Sequence, residues 1–291
     1  MFSFFQGGTA MNRYEHEIIN DDTGLRLFFH PVSTENGYSP LHWHSHLEIL
    51  FMLSGYMTAY INDKKYTLKK EDMLIVSPKE LHSTKAFGKA DYILLQIPYD
   101  YLAGSLTHVS LIHFQAYFPS ITMNSTQKKL RDCLFTLLDA YKKKEDGYQL
   151  YFSSVVYEFL YILYKNHSVT MTRQAREKEN RSFERIEEII QYVKHNYKRE
   201  ISLAEVSELL NVSPEYFCRL FKKHTGQTFL EYVNAVRLIH FYQDLLQTDY
   251  SITDLLEQNG ITNYKVFIRT FRETYKTTPG KLRQHLRHTP S

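Results

Sequence analysis

A run of alternating imidazoles is the first feature of this sequence that could do chemistry. His42, His44 and His46 are each separated by one residue, and Glu48 follows. Alternate residues of a β-strand face the same side, so the spacing predicts that these side chains converge. His82 adds an imidazole later in the chain. Three imidazoles and one carboxylate form a plausible ligand set for a transition metal, whereas a metal-free cluster would hydrogen-bond a polar ligand or its own members.

A second stretch, from Ser213 to Gly226, has the residue types for contact with nucleic acid. Ser213 can cap the first free N–H groups of a helix, Pro214 suits the first helical position, and Gly226 can end the helix. Apolar residues at i, i+3 and i+4 from Phe217 share one face and can anchor the helix in a core. The residues left on the outer, partly basic face are Glu215, Cys218, Arg219, Lys222 and Lys223.

The same pattern returns 50 residues later, where the segment starting at Phe267 repeats the segment starting at Phe217. A shorter helix with its own start signal precedes each copy, at Ser202 and at Ser251. A helix, a tight turn and a second helix with an outward basic face form a helix-turn-helix, and the repeat predicts two of them. The outward residues of the second copy are Tyr264, Lys265, Ile268, Arg269 and Arg272.

These outward residues are predicted to contact double-stranded DNA rather than to form only a solvated helix face. The two outward helices would enter successive major-groove segments about 34 Å apart. Arg219 and Arg269 are the first candidates for base recognition, because arginine with guanine is the commonest specific contact between a protein and DNA. Lys222, Lys223 and Arg272 are predicted to contact phosphate.

Over about the last hundred residues, these motifs resemble the DNA-binding module of the AraC/XylS family of bacterial transcription regulators. The resemblance runs from Ser202-Leu-Ala-Glu-Val through the helix after Ser213 to Arg237, and then through the second copy to Thr278-Pro279. The family usually has a small alanine where Leu256 stands. The bulkier side chain therefore predicts a wider angle between the second pair of helices.

The front half of the chain has the composition of short strands. β-branched and aromatic runs separated by turn residues predict an antiparallel sandwich or barrel, so a β domain is expected before an all-α one. Asn62-Asp63 predicts a tight hairpin turn. The predicted strands lie near residues 25–31, 41–44, 47–54, 56–62, 65–68, 73–77 and 91–97.

The order of these strands and histidines resembles the cupin fold, in the small-molecule-sensing form found at the front of AraC-type regulators. The first cupin motif is matched by His42, His44, Glu48 and Gly55. The second is matched only in part, by Pro78 and His82, because Glu71 stands where glycine is usual and Lys79-Glu80 replaces the usual glycine-containing turn. Such sensors commonly keep these residues without a metal, so the resemblance favours a metal-free pocket and no cofactor. The ligand-binding residues it implies are His42, His44, Glu48 and His82.

Helical periodicity divides the remainder of the chain. One apolar stripe in the predicted helical hairpin contains Leu134, Leu137 and Leu138. The hairpin can cover the sheet, pair with another subunit or do both, and the breadth of the stripe favours dimerisation. A polar stretch then predicts a linker. The predicted divisions are a sensing domain with an irregular N-terminal arm at 1–122, the hairpin at 123–165, the linker at 166–181 and the DNA-binding domain at 182–291.

Charge and cysteine content indicate the kind of partner and the cellular compartment. The formal net charge is only +3, but residues 263–287 hold seven basic residues against Glu273 alone. Cys133 and Cys218 are the two cysteines and lie in different predicted domains, which fits a reducing cytosol rather than a disulfide framework. Neither a secretory signal nor an apolar run of membrane-spanning length is evident, so a cytoplasmic protein without a membrane partner is expected.

Together, the motifs and the resemblance predict a ligand-responsive, sequence-specific transcription regulator rather than an enzyme. An activator is favoured, which would contact RNA polymerase, and the resemblance implies a homodimer and a small-molecule effector such as a sugar. The alternative is a cupin-type metal-dependent enzyme fused to a DNA-binding module, and the incomplete second cupin motif speaks against it. A constitutive DNA-binding regulator without an effector also stays open.

Overall fold

The computed structural model of the protein describes residues 27–288, with side chains given through Gln284. The predicted arm at 1–20 lies outside the described residues. Two compact parts divide at Glu177 and Lys178. We refer to them as the N-terminal and C-terminal domains and describe each by itself.

The N-terminal domain contains two antiparallel sheets. One has the strand order β1-β8-β3-β6-β10, the other has the order β2-β7-β4-β5, and β9 and β11 form a separate short pair. The strands are β1 (Phe28–Glu35), β2 (Tyr38–His42), β3 (Leu47–Ser54), β4 (Met57–Ile61), β5 (Lys64–Leu68), β6 (Met73–Val76), β7 (His82–Ala86), β8 (Lys89–Ile97), β9 (Ile112–Phe114), β10 (Tyr117–Phe118) and β11 (Ser168–Thr170).

The predicted β architecture is confirmed, including the two-residue turn at Asn62-Asp63 between β4 and β5. Details of the prediction are wrong, and the short strands β9, β10 and β11 were not predicted. β7 was not predicted either, because its sequence His-Ser-Thr-Lys-Ala has no large apolar residue to set an alternating pattern. β2 ends at His42, so His44 lies in the connection to β3 and not in a strand.

β3 is buried on both faces and divides the core between them. Leu47, Ile49 and Phe51 pack toward the helices of this domain, whereas Leu50 and Met52 pack toward the second sheet. At the end of β3, Gly55 adopts a φ of +82°, and a Cβ there would lie 2.3 Å from the backbone oxygen of Lys89. Only glycine fits this turn, because both the left-handed φ and the close approach exclude a side chain.

Three helices complete the N-terminal domain: α1 (Tyr99–Ala103), α2 (Ser125–Lys143) and α3 (Tyr148–His167). The apolar stripe of α2 is buried against the five-stranded sheet of its own domain, with Leu134 and Leu137 fully inaccessible. The stripe therefore covers the sheet, and dimerisation through the hairpin stays a prediction. Leu134 and Leu137 pack in the same core as Phe29 and Phe51 of the sheet.

The segment 166–181, predicted as a linker, has regular structure. β11 pairs with β9, and the backbone N–H of Met171 donates to the carbonyl oxygen of Leu111 at 2.8 Å. A helix begins at Arg173. Polar composition concealed this order, because backbone hydrogen bonds need no apolar side chains to form. The boundaries proposed for the domains otherwise stay predictions.

The C-terminal domain is helical. Its elements are α4 (Arg173–Asn196), which begins before the division, α5 (Leu203–Leu209), α6 (Pro214–Thr225), α7 (Phe229–Gln247), α8 (Ile252–Gln258), α9 (Tyr264–Tyr275) and α10 (Pro279–His288). The serines predicted to start α5 and α8 form capping boxes, Ser202 with Glu205 and Ser251 with Asp254. In the part of the chain described, no helix is both long and apolar enough to cross a membrane.

Candidate ligand site and nucleic-acid interface

Four predicted ligand-binding residues come together at one end of the two sheets. His42 at the end of β2 and His82 at the start of β7 are register partners in the four-stranded sheet. Glu48 belongs to β3 of the other sheet, and His44 comes from the connection between β2 and β3. One ligand atom from each of the four lies within 4.8 Å of all the others. We call His42, His44, Glu48 and His82 the His/Glu cluster.

The three imidazoles of the cluster are oriented by backbone carbonyls. Nδ1 of His42 lies 2.8 Å from the oxygen of Pro40, and Nδ1 of His82 lies 2.9 Å from the oxygen of Glu80. Nδ1 of His44 lies 3.2 Å from the oxygen of His46. Because a carbonyl oxygen only accepts, each Nδ1 carries the proton and donates it. In a neutral imidazole, Nε2 then carries the lone pair and acts as the acceptor.

Glu48 is the acceptor that joins these imidazoles. Its Oε2 lies 2.9 Å from Nε2 of His44 and accepts a 2.8 Å hydrogen bond from Nε2 of Gln96, which is opposite Glu48 on β8. Burial acts against the charge of Glu48, but the neighbouring His82 and His44 outweigh it and lower its pKa. Gln96 was not predicted, although the alternation along β8 places it on the same face of the sheet as Glu48.

His82 has the least satisfied side chain of the cluster. It is 1% exposed, and its Nε2 lies 3.6 Å from Oε1 of Glu48, too far for a hydrogen bond. Among residues 27–284, no hydrogen-bond partner for this nitrogen is found. Burial, together with the nearby His42, lowers the pKa of His82 well below its ordinary value, so the ring is neutral near pH 7.

His46 does not join the cluster, contrary to the alternation argument. The chain bends between β2 and β3, so the period of two that links His42 to Glu48 breaks at His44 to His46. The His46 side chain is buried with its ring centroid 5.4 Å from that of His44, and its backbone oxygen is the acceptor for His44. His46 therefore orients one of the four residues through its backbone.

The incomplete second cupin motif keeps the shape that glycine would give. Glu71 has a φ of 64° and Lys79 has a φ of 67°, both in the left-handed region. The backbone N–H of Lys79 donates to the carbonyl oxygen of His44 at 2.9 Å, which ties this turn to the cluster. The departure from the motif is thus one of residue type and not of backbone conformation.

Two short helices carry the residues predicted to contact DNA. Ser213 caps α6 by accepting from the N–H of Tyr216, and Asn263 caps α9 by accepting from the N–H of Val266. Phe217 and Phe221 of α6, and Phe267 and Phe271 of α9, are buried and fix the inner faces. The exposed residues of the predicted set are Glu215, Cys218, Arg219, Lys222, Lys223, Tyr264, Lys265, Arg269 and Arg272.

Ile268 is the one member of the predicted DNA-binding set that is not fully exposed. It is half-buried and packs against the core formed by Phe241, Phe267 and Phe271. Leu256 packs partly buried against the same core. The contacts with DNA, and the wider angle expected from Leu256, stay predictions.

Known proteins resemble both parts of this arrangement. Residues 30–160 match the AraC-like ligand binding domain, and residues 206–285 match a helix-turn-helix domain. The uncharacterized HTH-type transcriptional regulator YdeC of Bacillus subtilis (strain 168) is 25% identical over 254 residues, covering 84% of this chain and 86% of that protein. An uncharacterized HTH-type transcriptional regulator of Staphylococcus aureus (strain MRSA252) is 24% identical over 240 residues, covering 81% of this chain. The chain spans only 31% of that staphylococcal relative.

Two solved structures extend the comparison. The C-terminal domain of the two-component response regulator yesN from Fusobacterium nucleatum is 30% identical, with 33% of this chain and 95% of that chain covered and a TM-score of 0.31. Unsaturated fatty acid bound ToxT from Vibrio cholerae is 13% identical, with 94% of this chain and 100% of that chain covered and a TM-score of 0.42.

A β domain with a buried polar cluster, followed by two helix-turn-helix units, defines a DNA-binding transcription regulator with a ligand-binding domain in front. The two family matches occur in this order and together span most of the chain. The chain belongs to the AraC family of transcription regulators, as its motifs indicated.

Proposed function

We propose that this protein is a cytoplasmic, non-enzymatic regulator that activates transcription when an effector binds at the His/Glu cluster. The observation that carries this proposal is the pairing of a buried, inward-facing polar cluster with two capped helices that expose basic side chains. The resemblance to AraC-type regulators supports carbohydrate-related genes as its targets, with RNA polymerase as the partner at the promoter.

DNA would be bound by α6 and α9 together. Each of these helices has 12 residues, and α7, with 19 residues, lies between them in the chain. At 1.5 Å per residue, α7 is about 28 Å long, which is comparable to the spacing of roughly 34 Å between successive major-groove segments. The outward basic residues of α6 and α9 would then meet one face of the duplex.

A homodimer would present four such helices to a pair of half-sites. Because the α2 stripe is occupied within its own domain, we place the dimer contact on α3. Its exposed residues Leu150, Tyr157, Tyr161 and Tyr164 fall within one narrow stripe of the helix. A second copy of the chain, covering this stripe with its own, is the proposed occupant. Replacing Tyr161 by arginine should then shift the full-length chain toward monomer in sedimentation.

The experiment that tests the proposal begins with a selection of DNA, because a selection does not require the operator sequence to be known. The full-length chain would be used to select duplexes from a random pool, and the enriched site would be footprinted. We expect two protected major-groove segments on one face in each half-site. A double variant, Arg219→Ala with Arg269→Ala, should enrich no sequence. Enrichment of the same site by this variant would refute the assignment of α6 and α9 as recognition helices.

A further inference from the structure

Resting on the proposed sensing role, we infer that residues 168–172 are the element through which the ligand-binding domain passes its signal on. These residues connect α3 to α4, and we call them the strap. The strap is held on β9 by strand pairing, and a change at the His/Glu cluster releases it. Release gives the C-terminal domain a longer tether to the N-terminal domain.

The strap is attached to its domain mainly through its backbone. β11 pairs with β9, and just beyond β11 the N–H of Met171 donates to the carbonyl oxygen of Leu111 at 2.8 Å. The side chain of Val169 is 61% exposed, whereas Ile112 and Phe114 of β9 are buried in the core. Two strands paired only with each other are marginally stable. The strap can therefore leave β9 while β9 stays in place.

His167 fixes the chain immediately before the strap. It is 9% exposed, and its Nε2 lies 3.0 Å from Oγ1 of Thr126 in the first turn of α2. Its Nδ1 lies 3.3 Å from Oε1 of Gln115, and its backbone oxygen accepts from the N–H of Gln115 at 2.8 Å. The ring also packs edge-on against Phe118, with centroids 5.1 Å apart. These contacts hold the end of α3 whether or not the strap is paired.

The length of the strap sets what its release can do. At its far end, Oγ1 of Thr172 accepts from the N–H of Ala175 at 3.2 Å, and α4 begins at Arg173. Release moves the last residue fixed to the N-terminal domain from Met171 back to His167. The five freed residues span up to about 17 Å when extended. A tether of this kind lets a second DNA-binding domain reach half-sites of more than one spacing.

The turn between β6 and β7 connects the His/Glu cluster to β9. In this turn, the N–H of Lys79 donates to the carbonyl oxygen of His44 at 2.9 Å, and another backbone oxygen lies 2.9 Å from Nδ1 of His82. Oγ of Ser77 in the same turn accepts from the N–H of Phe114 at 3.3 Å. One turn thus contacts two members of the cluster and the strand that holds the strap. An effector that moves either ring displaces this turn and, through Ser77, displaces β9.

The first test measures amide exchange at Met171 in the full-length chain. Val169→Pro removes an N–H that points to β9, because alternate residues of an antiparallel strand bond to the same neighbour and Met171 bonds to β9. Thr170→Pro is the matched control, since Thr170 is also exposed and its N–H points away from β9. We expect Val169→Pro to raise exchange at Met171 by about 5-fold or more, and Thr170→Pro by less than about 2-fold. Equal exchange in both variants would overturn the strap, provided that protection of β3 shows both to be folded.

The second test asks whether the cluster controls the strap. Glu48→Gln keeps the size of the side chain but removes its charge, and it should raise exchange at Met171. In a Ser77→Ala background the same change should have no further effect, because the acceptor for β9 is gone. Ser154→Ala, which removes an exposed hydroxyl of α3, should leave the effect of Glu48→Gln intact. If Glu48→Gln does not fold, Gln96→Leu replaces it, since it removes a hydrogen bond to the same carboxylate. Unchanged exchange at Met171 would refute the coupling.

The consequence for DNA is measured on the selected site, with its half-sites moved apart by one helical turn. The wild type and Thr170→Pro should lose at least about 10-fold more affinity from this change than Val169→Pro does. Equal losses in all three chains would refute the strap as a tether. No binding to either duplex by any of them would refute the proposed function and leave the exchange result standing.

Discussion

The two helix-turn-helix units share a sequence pattern but are held in place by different contacts. In the first unit, the carboxylate of Glu205 accepts from Arg199 and from the hydroxyl of Tyr192, in addition to capping α5. In the second unit, the turn at Gly260 approaches the backbone of Tyr197 and Lys198. A repeat in sequence therefore does not imply a repeat in what stabilises it.

The difference extends to the turns and to the outward faces. Asn211 of the first turn and Gly260 of the second both have left-handed φ values, 52° and 65°. Only the second position has a backbone oxygen where a Cβ would be, so only the second requires glycine. On the outward faces, Cys218 is exposed, whereas Ile268 at the matching place is half-buried. The outer face of α6 thus has an exposed thiol at the place where that of α9 has a partly covered isoleucine.

The largest expected effect follows from the second turn. In Gly260→Ala, the new Cβ would lie 2.4 Å from the oxygen of Lys198, and it would also be strained by the positive φ. We expect a loss of about 3 kcal/mol or more in the free energy of unfolding of the C-terminal domain, from about 1–2 for the φ and about 1–3 for the contact. Gly88→Ala is the matched control, because Gly88 has a φ of +66° with nothing within 4 Å.

Hydrogen exchange of the full chain in denaturant would measure the two losses, since it reports each domain separately. Equal losses for Gly260→Ala and Gly88→Ala would mean that the approach to Lys198 contributes nothing, and the comparison between the two turns would fail.

The next effect concerns base recognition. Arg219→Ala and Arg269→Ala should each weaken binding to the selected site by about 1–3 kcal/mol and relax the base preference at one position. The two relaxed positions should lie in different major-groove segments. Titration of duplexes with single base changes would locate them. If only one variant changed base preference, one unit would supply affinity without sequence information.

A smaller effect concerns phosphate contacts. Lys222→Ala in α6 and Arg272→Ala in α9 should weaken binding to all duplexes alike, and each should reduce the slope of log affinity against log salt by about 1. Lys142→Ala in α2 removes an exposed charge of the same sign outside the proposed interface and should leave the slope unchanged. An unequal change between Lys222→Ala and Arg272→Ala would show which unit lies closer to the backbone of the duplex.

The smallest expected effect is a pH dependence that originates in the first unit. The hydrogen bonds from Arg199 and Tyr192 lower the pKa of Glu205 to about 2. Because the folded pKa lies below the unfolded one, the stability from this carboxylate is present above about pH 4.3 and is lost as the pH falls toward 2. Arg199→Met should therefore differ from the wild type at pH 7 and approach it at pH 3. Lys198→Met, an adjacent exposed charge, should show no such convergence in urea unfolding.

Local sequence signals predicted the two helix-turn-helix units well, because caps and apolar spacing act over a few residues. Ser213, Pro214 and Gly226 stand where the structure begins and ends α6. The His/Glu cluster was also predicted, even though the reason given for it was wrong at His46. Its four residues meet through the pairing of β2 with β7 and the bend before β3, and not through alternation along one strand.

The features that the sequence did not predict depend on contacts between residues far apart in the chain. The α2 stripe looks the same whether a sheet or another subunit covers it, and only the position of Phe29 and Phe51 decides. Gln96 became part of the site through its register opposite Glu48. Glu71 and Lys79 show a further limit, because residues that rarely adopt a left-handed φ do so here where the surrounding backbone fixes the turn.

The contacts at the end of α4 also bear on how the C-terminal domain unfolds. Arg237 of α7 donates to the carbonyl oxygens of Tyr197 and Arg199, and the turn at Gly260 lies against the backbone of Tyr197 and Lys198. The three residues after α4 thus touch the long helix, the first helix of the first repeat and the turn of the second repeat. The two helix-turn-helix units should consequently open as one cooperative element, with matching amide-exchange rates, although the sequence presents them as a tandem of separable parts.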